Sequence, residues 1–294
     1  MEIGKVGVWL SGTVRGQTNV AVQDAAREIE ELGYSALWYP EALGTRECFA
    51  TGALLLAATQ RLTIATGIAN IYARDAITMA AGARTLAEAF PDRFLLGLGV
   101  SHVEQVGPHG LDYTKPVATM RAYLDRMEAA PFGGVAPDPP LTVALAALRQ
   151  RMLALSGERT AGAHPYFVNV EHTRRAREIL GPGKLLMPEQ AVVLETDPAK
   201  ARAIARTHTP IYLRMQNYRN NLLWLGFTED DLNAEGGSDR LVDEIVAWGD
   251  VETIAARVRA HHEAGADHVC IQPLSAGGEI PLDVLRTLAP ALLG

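Results

Sequence analysis

The chain has 294 residues, 48% of them hydrophobic and 21% charged, a balance that suits one large globular core and excludes disordered and fibrous classes. Its formal net charge of −7 disfavours a broad nucleic-acid footprint or attraction to an anionic membrane surface. The two cysteines, Cys48 and Cys270, stand far apart without CxxC spacing, so they indicate neither a zinc site nor a disulfide framework and read as reduced thiols.

The N-terminal apolar run is too short for a signal peptide and no later run approaches a membrane span, which makes a cytoplasmic protein the expectation. Residues 6–10 read as a first strand. The turn Ser11-Gly12-Thr13-Val14-Arg15-Gly16 has two glycines but not the GxGxxG spacing that an open, doubly wound sheet would place there. In "AAREIEELGYSALWYPE", Ala26, Ile29 and Leu32 recur at helical spacing. Gly33 then ends the helix and an apolar strand begins at once. The cadence returns in "ATGALLLAATQRLTIATG", "ARTLAEAFPDRFLLGLG", "AREILGPGKLLMPEQAVVLE" and "VRAHHEAGADHVCIQPL".

Strands are expected at 6–10, 36–39, 62–66, 94–98, 141–146, 165–168, 191–195 and 268–273. Near-continuous apolar strands behind short helix-to-strand loops imply parallel strands buried on both faces. The fold expectation is therefore α/β: an eight-stranded (β/α) TIM barrel, one domain over 1–294, with a helical insertion at about 208–248 between strands seven and eight. That insertion is rich in aliphatic and aromatic residues, and either forms a lid over the barrel mouth or packs on the outside or in a dimer contact.

In such a barrel the residues after each strand converge: Trp9 and Ser11; Tyr39 and Glu41; Gly67, Ile68, Asn70 and Arg74; Ser101 and His102. No two of the eight histidines pair with carboxylates at ligand spacing, and no GxSxG elbow is present. Aromatics, a few hydrogen-bonding groups and no metal suit a flat heteroaromatic ligand.

The order of "ELGYSALWYPE", "RLTIATGIANIYARD", "PDRFLLGLGVSH" and "GDVETIAARVRAHHEAGADHVCIQPL" resembles the luciferase-like monooxygenase superfamily of flavin and deazaflavin oxidoreductases, over essentially the whole chain, and most closely its coenzyme F-420-dependent subgroup. The resemblance implies a homodimer that holds deazaflavin coenzyme F-420, or alternatively reduced FMN, in the barrel mouth. It implies a cis, non-proline peptide at Gly67-Ile68 behind the ring. The expected activity is hydride transfer between F-420 and an organic substrate. The alternatives are a reduced-FMN monooxygenase and a non-catalytic flavin-binding protein.

The family commonly follows the acid after strand two with a histidine, but Glu41 is followed here by Ala42. Imidazole titrates near neutrality and alanine carries no proton, so His102 is the substitute to expect, unless it merely bonds a backbone carbonyl. Glu41 serves as acid or base, orients substrate, or pairs with Arg74 or Arg46. Asn70 and Arg74 are candidate ring or tail contacts; alternatively Asp75 caps the next helix and leaves Arg74 solvated. For the cofactor phosphate two segments offer backbone N–H groups and cations: "SGERTAGAHP", with Gly157 and Gly162, and "VEHTRRAREIL", with His172, Thr173, Arg174 and Arg175. Many relatives carry Gly-Trp where Gly162-Ala163 stands, and Arg174 and Arg175 read equally as an exposed helix face.

Overall fold

The computed structural model describes residues 1–10, 16–275, 277 and 279–294, so Ser11 and the turn that follows it lie outside the described residues. Eleven strand segments form one sheet: β1 (Val6–Trp9), β2 (Ala36–Tyr39), β3 (Thr63–Thr66), β4 (Ala69–Asn70), β5 (Phe94–Gly99), β6 (Thr142–Leu145), β7 (Gly162–Ala163), β8 (Leu185–Leu186), β9 (Glu189–Leu194), β10 (Val246–Gly249) and β11 (Val269–Pro273). Neighbours run in the order β10-β9-β11-β1-β2-β3-β5-β6-β7-β8, with β4 beside β5. The pairings are parallel.

β8 lies at one end of this path and β9 beside the other, yet only Met187 and Pro188 separate them in the chain. The sheet is therefore curled, in a TIM-barrel-like α/β fold. Strand alternation sorts the core into two faces. Trp9, Ala36, Trp38, Ala65, Leu95, Ala144, Met187 and Cys270 pack together on the inner face. Val6, Val8, Leu37, Tyr39, Ile64, Phe94, Val269 and Ile271 turn outward against helix residues such as Ala25, Ile29, Leu55, Met79 and Leu285.

The first helix, Asn19–Glu31, illustrates the local rule. Thr18 Oγ1 accepts from the Ala21 N–H at 3.2 Å, and Val22, Ala25, Ala26 and Ile29 form its buried stripe. Gly33, at φ 94°, turns the chain into β2 because only glycine adopts that conformation without steric cost.

Two expectations require correction. The sixth strand is not at 165–168, which is irregular and includes Phe167 at φ 57°. The strand at that point is the two-residue β7, whose Gly162 lies so close to its neighbour that a Cβ would fall 2.0 Å from the Leu185 carbonyl oxygen. The stretch 208–248 contains helices at Thr209–Leu213, Gln216–Trp224 and Asp239–Ile245, but its last residues belong to β10, paired with Ala191–Leu194 of β9. No helix among the described residues is long and apolar enough to cross a membrane.

Candidate active site

The C-terminal ends of β1, β2, β3 and β5 open on a cavity of about 720 Å³, whose wall includes Trp9, Glu41, Ala42, Gly67, Ile68, Ser101 and His102. Helix residues Ile211, Tyr212 and Tyr218, with Met215 between the two helices, wall it on a further side. The Gly67–Ile68 peptide is cis, in agreement with the family resemblance. Gly67 packs so tightly that a Cβ there would stand 2.6 Å from Trp9 Nε1 and 3.2 Å from His164 Nε2. Gly99 likewise leaves room for the Ile68 side chain, whose Cγ1 would lie 2.4 Å from an added Cβ.

The Glu41 carboxylate reaches the wall but is heavily engaged. It accepts from Arg74 Nη1 at 3.0 Å, from Arg74 Nη2, from the Asn70 N–H at 2.8 Å and from the Cys48 N–H at 3.3 Å. Arg46 donates instead to the Gln17 carbonyl. Asp75 does cap the helix Ala76–Ala89, yet Arg74 is buried in the ion pair rather than solvated. Glu41, Glu47 and Cys48 form a cluster of metal-ligand type, but Arg74 donates to both carboxylates and supplies the cation itself.

His102 follows β5. Its ring lies 5.0 Å from that of Tyr218, and its buried Nδ1 has no partner among the described residues. Burial lowers its pKa, with nearby Glu104 opposing.

The structure thus brings Glu41, Gly67, Ile68 and His102 together, and leaves Asn70, Arg74, Gly162, His172, Thr173 and Arg174, among other expected contacts, outside the wall. Asn70 is buried, and its Oδ1 accepts from the Tyr72 N–H. Arg74 holds Glu41, and Gly162 is enclosed within the sheet. His172 Nε2 donates to the Leu148 carbonyl oxygen at 2.6 Å. Thr173 Oγ1 meets His261 Nδ1 at 2.8 Å. Arg174 is exposed and paired with Glu171 and Glu178.

The sequence reading overlooked three cations on the cavity: Lys115, Arg149 and Arg151. None is in an ion pair among the described residues, whereas Arg121 and Arg159, near them in sequence, both are. Arg149 is the N-cap residue of the helix Gln150–Arg159, at the end of the short loop after β6. It sits in the loop that follows a strand, where the strand-end rule places site residues. His164 and Tyr166, also in the wall, follow β7. Burial presses the pKa of His164 down to about 4.

Several known proteins resemble this chain. A Mycobacterium tuberculosis protein named "Putative coenzyme F420-dependent oxidoreductase" is 30% identical over 178 residues, 60% of this chain and 48% of that protein. The 5,10-methylenetetrahydromethanopterin reductase of Methanolobus tindarius is 25% identical over 167 residues, 51% of this chain and 50% of that protein. The chain therefore aligns with about half the length of these curated relatives. Among solved structures, an F420-dependent secondary alcohol dehydrogenase in complex with an F420-acetone adduct superposes with a TM-score of 0.80 at 14% identity, covering 99% of both chains. The FMN complex of the oxygenating constituent of 3,6-diketocamphane monooxygenase, from Pseudomonas putida, gives 0.73 at 15% identity, again over 99% of both. At such identity these likenesses speak to fold alone. Residues 5–268 match the model of the luciferase-like monooxygenase family, and the chain belongs to that family.

Proposed function

We propose that the chain binds deazaflavin coenzyme F-420 in this cavity and moves a hydride between the coenzyme and a small organic substrate. The observation that carries the choice of coenzyme is the group Lys115, Arg149 and Arg151, which lines the cavity without an ion-pair partner among the described residues, in a chain of net charge −7. The tail of F-420 bears a phosphodiester and several carboxylates, whereas FMN ends in one phosphate. Three cations on one cavity suit the longer anion.

The residues present fit the group. A cavity of about 720 Å³ lies within the range, roughly 300–1,000 Å³, of sites that enclose flat heteroaromatic ligands. Its wall holds buried polar atoms without a partner among the described residues, in Trp9 Nε1, His102 Nδ1 and His164 Nε2, and buried polar groups are normally satisfied. In this reading the ring lies against Gly67 and Ile68, and the tail follows the three cations. The coenzyme supplies the hydride chemistry. Tyr212 and Tyr218 exclude water, and His102, whose pKa burial lowers, holds a proton or accepts one at the cavity edge. Glu41 acts as a positioning residue, because Arg74 and two backbone N–H groups occupy its carboxylate.

A reduced-FMN monooxygenase is the second reading, favoured by the full-length likeness to an FMN-bound oxygenating enzyme. Titrating the cofactor-free protein with F-420 and with FMN, each oxidised and reduced, separates the two. Selective binding of F-420 is expected. Selective binding of reduced FMN would make oxygen a co-substrate, and binding of neither would overturn both readings.

A further inference from the structure

The helix Gln216–Trp224 carries Asn217, Tyr218 and Trp224 of the cavity wall. Its N-cap residue is Met215, whose side chain makes no capping bond. A thioether is a weak acceptor, so the N–H groups of the first turn need partners from elsewhere. One comes from Glu104, 112 positions earlier in the chain, whose Oε1 accepts from the Gln216 N–H at 3.1 Å. A carboxylate there also meets the positive end of the helix dipole. At the other end Arg175 Nη1 donates to the Trp224 carbonyl oxygen at 2.6 Å, which places a cation at the negative end.

Glu104 belongs to the segment after β5, between His102 and Gln105, and both of these line the cavity. Its bond to Gln216 therefore ties one part of the wall to another. The position of His102 depends on that tie. Its Nδ1 is buried and has no partner among the described residues, so packing rather than a hydrogen bond at that atom locates the ring. The ring packs on Tyr218, at 5.0 Å between centroids. Tyr218 lies in the first turn of the helix that Glu104 caps. Cap, turn, Tyr218 and His102 thus form one chain of contacts.

We propose that Glu104 is a positioning residue: it caps the helix Gln216–Trp224 from across the cavity mouth, keeps Tyr218 against His102, and holds the mouth closed over the bound coenzyme. The last part rests on the F-420 reading above. A ligand that passes between residues 101–105 and 215–218 parts Glu104 from the Gln216 N–H. The first turn then loses its acceptor and frays, and Tyr218 leaves the His102 ring. A bond to a charged acceptor is stronger than a neutral one, so it resists opening. Because Glu104 is exposed, opening strands no buried charge, and the mouth closes again without penalty.

The test uses the full chain, coenzyme-free and loaded with F-420. Two quantities are read: the rate of F-420 release by stopped-flow fluorescence, and the ring-proton resonances of His102, assigned by their disappearance in His102→Gln. Tyr218→Leu gives their position without the neighbouring ring. Glu104→Ala removes the acceptor, and Glu104→Gln keeps an oxygen at the same reach. Gln216→Pro removes the donor at the first helical position, where proline is tolerated, after a residue already in the extended conformation that proline requires. Glu104→Ala and Gln216→Pro should each release F-420 about tenfold faster and move the His102 signals most of the way to their Tyr218→Leu position. Glu104→Gln should stay within about threefold of the parent. Met215→Ser added to Glu104→Ala supplies a local cap and should leave release fast, because it repairs the helix and not the tie.

Release within about twofold of the parent in both Glu104→Ala and Gln216→Pro, or unmoved His102 signals, would overturn the proposal. A loss in Glu104→Gln equal to that in Glu104→Ala would assign the effect to charge alone and overturn it too. Restoration of both readouts by Met215→Ser would reduce Glu104 to a helix stabiliser. If the parent does not bind F-420, the coenzyme reading falls and the closure over it falls with it. The His102 signals of the coenzyme-free protein then decide separately for or against the hold of Glu104 on Tyr218.

Discussion

Arg74 donates to both carboxylate oxygens of Glu41, Nη1 to Oε2 at 3.0 Å and Nη2 to Oε1, with the two side chains only 9% and 4% exposed. Because Glu41 also accepts from the Asn70 backbone N–H, the pair ties the loop after β2 to β4. Removing one partner of a buried pair strands the other, which typically costs about 3–5 kcal/mol. Arg74→Met should lower unfolding stability by that order in urea, and adding Glu41→Gln should restore most of the loss. A single-variant cost below about 1 kcal/mol would mean that solvent reaches the carboxylate and that the pair is not structural.

The rim cations give a contrast within one experiment. Lys115→Gln, Arg149→Gln and Arg151→Gln should each weaken F-420 binding about fivefold, on the order of 1 kcal/mol. The effect should shrink as added salt shortens the screening length. Arg174→Gln, whose partners Glu171 and Glu178 share its exposed helix face, should leave affinity unchanged and stability within about 0.5 kcal/mol. Equal losses at all four positions would indicate a diffuse field rather than a tail site.

Buried histidines set the acid limit of stability. Burial is the largest cause in each case, and it presses His164 and His172 down to about 4 and His261 and His268 to about 3. The unfolded side chains titrate near 6.5. Above that pH both states are neutral and these groups contribute no pH dependence. Between about 6.5 and the folded values the unfolded chain binds protons that the folded chain refuses, so stability falls as pH drops. Urea midpoints measured from pH 7.5 to 4 should decline over that window, and His261→Gln should make the decline shallower.

Glu189 acts in the opposite direction. Burial raises its pKa to about 8, the Phe167 N–H opposing at 3.1 Å from Oε2, whereas the unfolded carboxyl titrates near 4.3. From about pH 4.3 upward the unfolded state loses a proton that the folded state keeps, and stability falls until the pH passes about 8. Glu189→Gln should therefore stabilise the protein at pH 8 by a few kcal/mol, an order-of-magnitude figure, with no such gain at pH 4. Equal effects at both values would assign the change to packing and not to ionisation.

Local order carried much of the fold into the sequence. Helix Asn19–Glu31, the Gly33 stop and β2 are read from consecutive residues, as are β1, β3 and β5, because helical spacing, glycine terminators and apolar strands act over short range. β7 escaped because a Gly-Ala pair has no strand pattern of its own, and β10 because its four residues directly follow a helix. Met187 and Pro188, which separate β8 from β9, gave no sign that one passage of chain meets both β7 and β11.

The site divides along the same physical line. The sequence by itself determined the strand ends that bear Glu41, Ala42, Gly67, Ile68 and His102, and the absence of a histidine after Glu41, because position along a strand is a local property. Only the tertiary structure decided that Arg74 neutralises Glu41, that His172 and Thr173 are consumed in the core, and that Trp9 and His164, 155 positions apart by their numbering, face one glycine. Hydrogen-bond partners and unpaired charges depend on which distant elements pack together, and in a curled parallel sheet strands remote in sequence supply the neighbours.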